Sequence, residues 1–356
     1  MKSKIGIMSM QRITNYGSFL QAYGLKQIIE SLGYDVEFVD YEYEGCLVVN
    51  SKKNIKKLKK LLHINKTIKI KKEWKKFESC YKLYLLKYFN ITNKLNIRPN
   101  DIKKLVIGSD EVFNCMQESP VGYSRELFGR NYENIDVISY AASFGYTSID
   151  MIKEMQIDEE LFNMLTKFKD ISVRDKNSYD IIIKLGLRKP KTNFDPVLIA
   201  NYDTTKKVDI ENYIIVYTYP GRLNKEEEKT IKKFAKKYNK KIVSLGFYQQ
   251  IADINLYIDP LDVFSYFKNA DYVITDTFHG TIFSVKSNSN FCTIIRNSNK
   301  NKLQDLLKKL NQEDRIITNI QEIEELYHKD INYSYTNKII SAEREKSINY
   351  LIKNLK

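Results

Sequence analysis

Apolar residues in this chain fall into two alternating patterns: short continuous runs, and stretches in which they recur every three to four positions. Lys4–Met10 is a continuous run and reads as a buried strand. Gly17–Leu32 carries the helical period and stops at Gly33, and Asp35–Tyr41 is a second strand. The chain therefore opens with a βαβ unit. A Lys-rich stretch follows, with helices predicted over Asn54–Leu62 and Thr67–Phe89. Strand–helix alternation then resumes with strands at Lys104–Gly108 and Val137–Ala142, a helix over Glu159–Phe168, a strand at Ile171–Val173 and a helix ending at Leu185. Continuous apolar runs separated by helices are the pattern of parallel strands buried on both faces.

The segment Ala200–Glu211 is polar and without period, and it divides the chain. Beyond it the pattern predicts strands at Tyr213–Tyr219, Lys241–Phe247, Tyr272–Thr275 and Phe291–Arg296. Helices are predicted at Lys225–Tyr238, Pro260–Lys268, from about His279, at Lys302–Leu310 and at Asn337–Asn354. The expected fold class is α/β, two Rossmann-like domains facing a central cleft. The first would span residues 1–200, with the Lys-rich helical insert at about 50–90. The second would span 212–330, and a C-terminal helix over 331–356 is expected to cross back onto the first.

Composition sharpens this in a few places. A chain of 356 residues exceeds one ordinary core, and 26 Tyr and 17 Phe suffice to fill two. The net charge is +14, but twelve lysines lie between Lys52 and Lys76 with Glu73 the only acid among them, so much of the excess is local. That argues against a polyanion groove along the whole protein, and nucleic acid is not an expected partner. No apolar run reaches the length of a membrane span and no leader pattern opens the chain, so a cytoplasmic location is expected. Cys46, Cys80, Cys115 and Cys292 form no CxxC pair, and the three histidines have no zinc spacing. Neither disulfide nor metal is expected.

In open parallel sheets, ligands sit beyond the carboxyl ends of the strands. Four such turns carry residues that packing alone does not call for. In Thr14-Asn15-Tyr16-Gly17, Gly17 opens a helix whose N-terminus suits an anion, while Asn15 also fits a plain helix cap. In Gly108-Ser109-Asp110, the small residues permit close backbone approach. Asp110 fits either a base that orients a sugar hydroxyl or an N-cap. Tyr140–Gly145, containing Ser143, Phe144 and Gly145, lies beside Val173-Arg174-Asp175. Arg174 leaves a buried strand and needs an anionic partner, either a ligand or a carboxylate such as Asp175. In Ile274–Thr281, strand alternation places Thr275, Thr277 and His279 on one side and Asp276 and Phe278 on the other. His279 then stands at a strand end before Gly280-Thr281, where it can meet an anion and exchange a proton near neutrality.

In order along the chain, NYGSFLQAYGLKQIIESLGYDVEFVDY, IGSDEVFN (107–114), ISYAASFG (138–145), ISVRDKNS (171–178), FDPVLI (194–199) and TDTFHGTIFS (275–284) resemble the polysaccharide pyruvyl transferase family. The resemblance spans about residues 4–310. It implies a GT-B-like fold and, with no cofactor, transfer of pyruvate from phosphoenolpyruvate onto two hydroxyls of a sugar, giving a ketal. It makes His279 and Arg174 the expected active-site pair. Asp110 is the candidate for acceptor activation, and Asn15, Tyr16, Gly17, Gly108, Ser109, Ser143, Phe144, Gly145, Thr277, Gly280 and Thr281 are candidates for substrate binding. Two departures stand out. Thr277 occupies a position where some members have arginine, so the phosphate contact made by that arginine is either absent here or supplied elsewhere, by Arg296 or a lysine. Glu111-Val112-Phe113 replaces the usual Gln-Val-Trp. The implied partners are phosphoenolpyruvate and a glycan or lipid-linked sugar. The Lys-rich insert suits either a peripheral contact with an anionic inner leaflet or a helix packed on the first domain with a solvated lysine face. The rival readings are a nucleotide-sugar glycosyltransferase on the same fold and a non-catalytic basic binding protein.

Overall fold

The computed structural model describes residues 3–48, 64–99, 101–118, 120–297 and 299–356, so the helix predicted over Asn54–Leu62 lies outside it. Among the described residues the strands form two six-stranded sheets, parallel throughout. The first contains β1 (Lys4–Met8), β2 (Asp35–Phe38), β3 (Lys104–Asp110), β4 (Asp136–Ala142), β5 (Ser172–Val173) and β6 (Lys191–Thr192), in the order β2-β1-β3-β4-β5-β6. The second contains β7 (Tyr213–Tyr217), β8 (Lys241–Leu245), β9 (Ile254–Leu256), β10 (Tyr272–Thr275), β11 (Phe291–Ile294) and β12 (Ile316–Ile317), in the order β12-β11-β10-β7-β8-β9. The strand order reverses beside β1 in the first sheet and beside β7 in the second. These are the switch points where such sheets bind ligands.

The connecting helices are α1 (Tyr16–Ser31), α2 (Ile64–Phe89), α3 (Ile149–Glu154), α4 (Asp158–Leu165), α5 (Lys176–Lys184), α6 (Pro196–Ile199), α7 (Lys225–Lys237), α8 (Val263–Asn269), α9 (Phe278–Lys286), α10 (Lys300–Lys309), α11 (Ile323–Tyr327) and α12 (Tyr333–Leu355). Their starts are chemically marked. The side chains of Asn15, Asp175, Asp195, Asn224 and Thr277 each accept a backbone N–H in the first turn that follows. The predicted helix over Glu159–Phe168 is instead α4, which ends at Leu165 after a separate α3. Strands β6, β9 and β12, at two or three residues each, are too short to show a period.

Three apolar clusters fill the molecule. One backs the outer face of each sheet, and the largest joins the two inner faces. It runs from Phe19, Ile28 and Tyr140 through Val197 to Phe247, Phe264, Phe283 and Leu351. The two domains therefore share buried surface in addition to enclosing a cleft. Helix α2 contributes to that shared core. The ring of Phe77 lies 5.1 Å from Tyr16 and 6.2 Å from Phe247, and Tyr81 donates to the Gln11 carbonyl at 3.0 Å. Tyr257 of the second domain donates to Glu73 of α2 at 2.9 Å. The insert thus packs on both domains, not on the first alone. Its opposite face presents exposed Ile68, Leu83 and Leu86 among Lys72, Lys75 and Lys82.

The last helix crosses back. Near its start Tyr333 donates to the Ser289 carbonyl of the second domain at 2.6 Å. Near its end Tyr350 donates to the Ser139 carbonyl of the first at 2.9 Å. No helix among the described residues is long and apolar enough to cross a membrane. The four cysteines are free thiols.

Candidate active site

The carboxyl ends of β1, β3 and β5 face those of β7 and β10 across a cleft of about 430 Å³. Strand β3 runs apolar through Leu105, Val106 and Ile107 and then needs Gly108. At φ +130° a β-carbon there would lie 2.1 Å from the Tyr140 carbonyl oxygen. The strand ends on Asp110, itself at φ +75°. One oxygen of Asp110 accepts from the Ser18 hydroxyl in the first turn of α1 at 2.8 Å. The other accepts from Arg174 at 3.2 Å. Arg174, which follows β5, is buried, and its second nitrogen donates to Asp195 at 2.7 Å. Its guanidinium lies over the Phe278 ring, 4.4 Å from the centroid. A guanidinium with two carboxylates within reach is rigidly oriented. The partners are Asp110 and Asp195; Asp175 caps α5 instead.

His279 enters from the other domain, in the first turn of α9. The ring has no room behind it, because a β-carbon on Gly17 would lie 2.2 Å from its Nδ1. Its Nε2 is buried without a hydrogen-bond partner and faces Asp195 at 3.6 Å, an ion-pair distance longer than a hydrogen bond. Burial pushes the Asp195 carboxyl up, but His279 and Arg174 outweigh it and hold the group at about 2. Asp195 is thus a carboxylate facing the free ring nitrogen of His279.

The rest of the wall is mixed in sign. Lys302 of α10 donates to Glu111 at 2.7 Å, which bridges the domains. Burial raises the Glu111 carboxyl, but Lys302 and Arg174 outweigh it and hold the group below its ordinary range, at about 2. Asp276 is buried between Arg222 at 3.6 Å and Arg296 at 3.2 Å, and desolvation, opposed by those two arginines, lifts its carboxyl above the ordinary range. Among the described lining residues the carboxylates Asp110, Glu111, Glu118 and Asp276 outnumber the cations Arg174, Arg222 and Lys302. Attraction for an anion therefore cannot come from net side-chain charge. The positive ends of three helices open on the cleft instead, those of α1 (Asn15, Ser18), α9 (Thr277 to His279) and α10 (Asn299, Lys302), and such termini suit an anion.

The profile of the polysaccharide pyruvyl transferase family matches residues 15–299. The chain belongs to that family. No curated protein sequence matches it. Solved structures share its fold at low identity. The MnaA–UDP co-structure from S. aureus superposes with a TM-score of 0.54 at 12% identity, covering 99% of this chain and 97% of that one. A putative UDP-N-acetylglucosamine 2-epimerase from Listeria monocytogenes gives 0.52 at 9%, covering 99% and 95%. The glycosyltransferase SsfS6 from Streptomyces sp. SF2575, complexed with thymidine diphosphate, gives 0.50 at 11%, covering 99% of each chain. These neighbours establish a two-domain, GT-B-like Rossmann fold.

In this pyruvyl transferase family member, the residues singled out from sequence divide into two groups. Asn15, Asp110, Arg174, Thr277 and His279 line the cleft. Gly17 and Gly280 shape it from behind. A β-carbon on Gly280 would lie 2.2 Å from the Thr275 hydroxyl, and Gly145 similarly gives room to Glu111. Gly108 and Ser109 belong to the β3 backbone, and the Ser109 hydroxyl donates to the Ala141 carbonyl at 3.0 Å. Tyr16 is core, donating to the Ile258 carbonyl at 2.9 Å. Ser143 donates to Asp175 at 2.6 Å, Phe144 packs with Phe113, and Thr281 donates to the Thr277 carbonyl at 3.0 Å. For these last residues, direct contact with substrate gives way to support of the wall.

The predicted alternation over 275–279 also fails. Strand β10 ends at Thr275 and a helix begins at Phe278, so Asp276, Thr277, Phe278 and His279 all reach the cleft. Arg296, expected as a phosphate contact, is spent on Glu227 at 2.5 and 3.2 Å and on Asp276, behind the lining. Sequence reasoning missed Asp195, Glu111, Arg222 and Lys302 as site residues. Two of these had a signal: Glu111 as a departure from the family's Gln-Val-Trp, and Asp195 in the Asp-Pro of FDPVLI, which by itself marks a capped helix start.

Proposed function

We propose that this protein transfers the pyruvyl group of phosphoenolpyruvate to a glycan or its lipid-linked precursor, forming a pyruvate ketal. The observation that carries the reading is the unpartnered Nε2 of His279, buried 3.6 Å from Asp195 beside the Asp110–Arg174 pair. A nitrogen in that position takes up a proton with Asp195 as counter-ion and delivers it to a bound substrate.

In the proposed sequence His279 protonates C3 of the enol, leaving a cationic centre at C2. One acceptor hydroxyl bonds to C2 and loses its proton. The C2–O bond to phosphate then breaks, and the second hydroxyl closes the ring with loss of its own proton. One proton stays in the new methyl group and one leaves with the phosphate. Asp110, fixed by Ser18 and Arg174, accepts from the acceptor hydroxyl and orients it. The helix N-termini and protonated His279 balance the donor's charge, with no step that needs a cofactor. The lysines and exposed leucines on the outer face of α2 support a peripheral contact with an anionic cytoplasmic leaflet, where a lipid-linked acceptor would be presented.

The test is acceptor-dependent phosphate release from phosphoenolpyruvate. His279→Ala should lower turnover by about 10²–10⁴-fold. Turnover within a few-fold of wild type would remove His279 from the chemistry.

A further inference from the structure

We infer that Arg222 is the residue that grips the phosphoryl group of the donor, an assignment that rests on the donor reading above. Three observations lead to it. First, the other cations lining the cleft are already committed at short range: Arg174 to Asp195 at 2.7 Å and to Asp110 at 3.2 Å, and Lys302 to Glu111 at 2.7 Å. Arg222 is not. Among the described residues its one hydrogen bond is long, 3.4 Å to the Asp276 carbonyl, and its ion pair with Asp276 is 3.6 Å. Its side chain is 31% exposed, against 3% for Arg174. A guanidinium carries several N–H donors in a fork that matches phosphate geometry, and among the described residues most of them have no partner here.

Second, Arg222 is aimed but not locked. It sits on the Pro220-Gly221 turn leaving β7, with its guanidinium 4.8 Å from the Tyr219 ring centroid. Behind it Asp276 is fully buried, and Oδ1, the oxygen nearest Arg222, has no hydrogen-bond partner. That carboxylate orients Arg222 from the rear. When Arg222 swings forward to a ligand, Asp276 keeps Arg296, which is itself anchored by Glu227. The movement therefore strands no buried charge.

Third, the surroundings favour a phosphoryl group over a carboxylate. Helices α9 and α10 both begin beside Arg222. Thr277 caps the first, and Asn299, at the start of the second, donates to the same Asp276 carbonyl at 2.6 Å. Two helix N-termini and a guanidinium converging on one space suit an oxyanion of high charge.

Binding of phosphoenolpyruvate, inorganic phosphate and uridine diphosphate to wild type, Arg222→Gln and Arg222→Lys, followed by calorimetric titration, tests this. Melting curves on the same samples confirm that each variant is folded. Wild type should bind phosphoenolpyruvate, with inorganic phosphate competing. Arg222→Gln should weaken both by tenfold or more, and Arg222→Lys should recover part of the loss. Arg222→Gln binding both within twofold of wild type overturns the assignment. If wild type ignores phosphoenolpyruvate but binds phosphate and uridine diphosphate in an Arg222-dependent way, the clamp stands and the donor reading falls. If wild type binds none of the three, both fall.

Discussion

A β-carbon on Gly17 would lie 2.2 Å from Nδ1 of His279. Gly17 belongs to the first turn of the first helix and His279 to the second domain, so the imidazole rests on bare backbone across the cleft. The contact fixes the ring plane, directs Nε2 towards Asp195, and sets how closely the domains meet. Gly17 serves here by its missing side chain: its backbone is in an ordinary helix.

Gly17→Ala should therefore act as a catalytic variant with a modest folding cost. The extra methyl displaces the ring or parts the domains, and overpacking of this kind costs about 1–3 kcal/mol. A shift of the order of 1 Å at a reacting group lowers rate by about 10²-fold. Turnover and melting temperature measured together check this. Full activity would show that the ring relocates without consequence.

Asp195 predicts a pH dependence of stability. Its carboxyl is held at about 2 in the folded protein, against an ordinary 3.8. The stabilisation is complete above the ordinary value and is lost as pH falls from about 4 towards 2, and it amounts to about 2 kcal/mol. Urea unfolding of wild type should weaken more between pH 5 and pH 2.5 than that of Asp195→Asn. Parallel curves for the two proteins would contradict the ion pairs assigned to Asp195.

Arg174→Ala should unfold the site as well as disarm it. Removing the guanidinium leaves Asp110 and Asp195 as buried carboxylates without their shared partner, a change that costs about 3–5 kcal/mol in comparable pairs. Its melting temperature should fall further than that of His279→Ala. Loss of activity in Arg174→Ala alone is therefore weak evidence of substrate contact, whereas Arg222, half free of partners, gives a cleaner test.

The outer face of α2 can be tested separately. Charge reversal of Lys72, Lys75 and Lys82 should abolish sedimentation with phosphatidylserine-rich vesicles, since each lysine near such a surface contributes about 1 kcal/mol. Wild type sedimenting equally with neutral vesicles, or with neither kind, would leave α2 as a helix packed between domains with a solvated lysine face.

What was legible in the sequence follows from what each signal depends on. Strands β3, β7 and β10 are buried on both faces, so they appear as unbroken apolar runs, and the doubly wound pattern with them. His279 was visible because a histidine between an apolar strand and a Gly-Thr helix start is chemically unusual. Asp195, Arg222 and Lys302 were not, because their roles come from partners far away in the chain: Arg174 and His279 for the first, Asp276 for the second, Glu111 for the third. Adjacency also misled. Tyr16, Ser143 and Phe144 sit inside motifs that reach the cleft, yet their own side chains turn into the core, and a motif does not state which way its members face. Beyond Thr275 the alternation of a strand was carried two residues into a helix, where the period is 3.6.

Thermal melting with and without millimolar phosphoenolpyruvate tests the identity of the donor. A ligand at about 100 times its Kd stabilises the folded state by about 2.7 kcal/mol, which raises the melting temperature by a few degrees. A pyruvyl transferase should show such a shift with phosphoenolpyruvate and none with a nucleotide sugar. A shift with the nucleotide sugar and none with phosphoenolpyruvate would contradict that reading and make the protein a glycosyltransferase on the same fold.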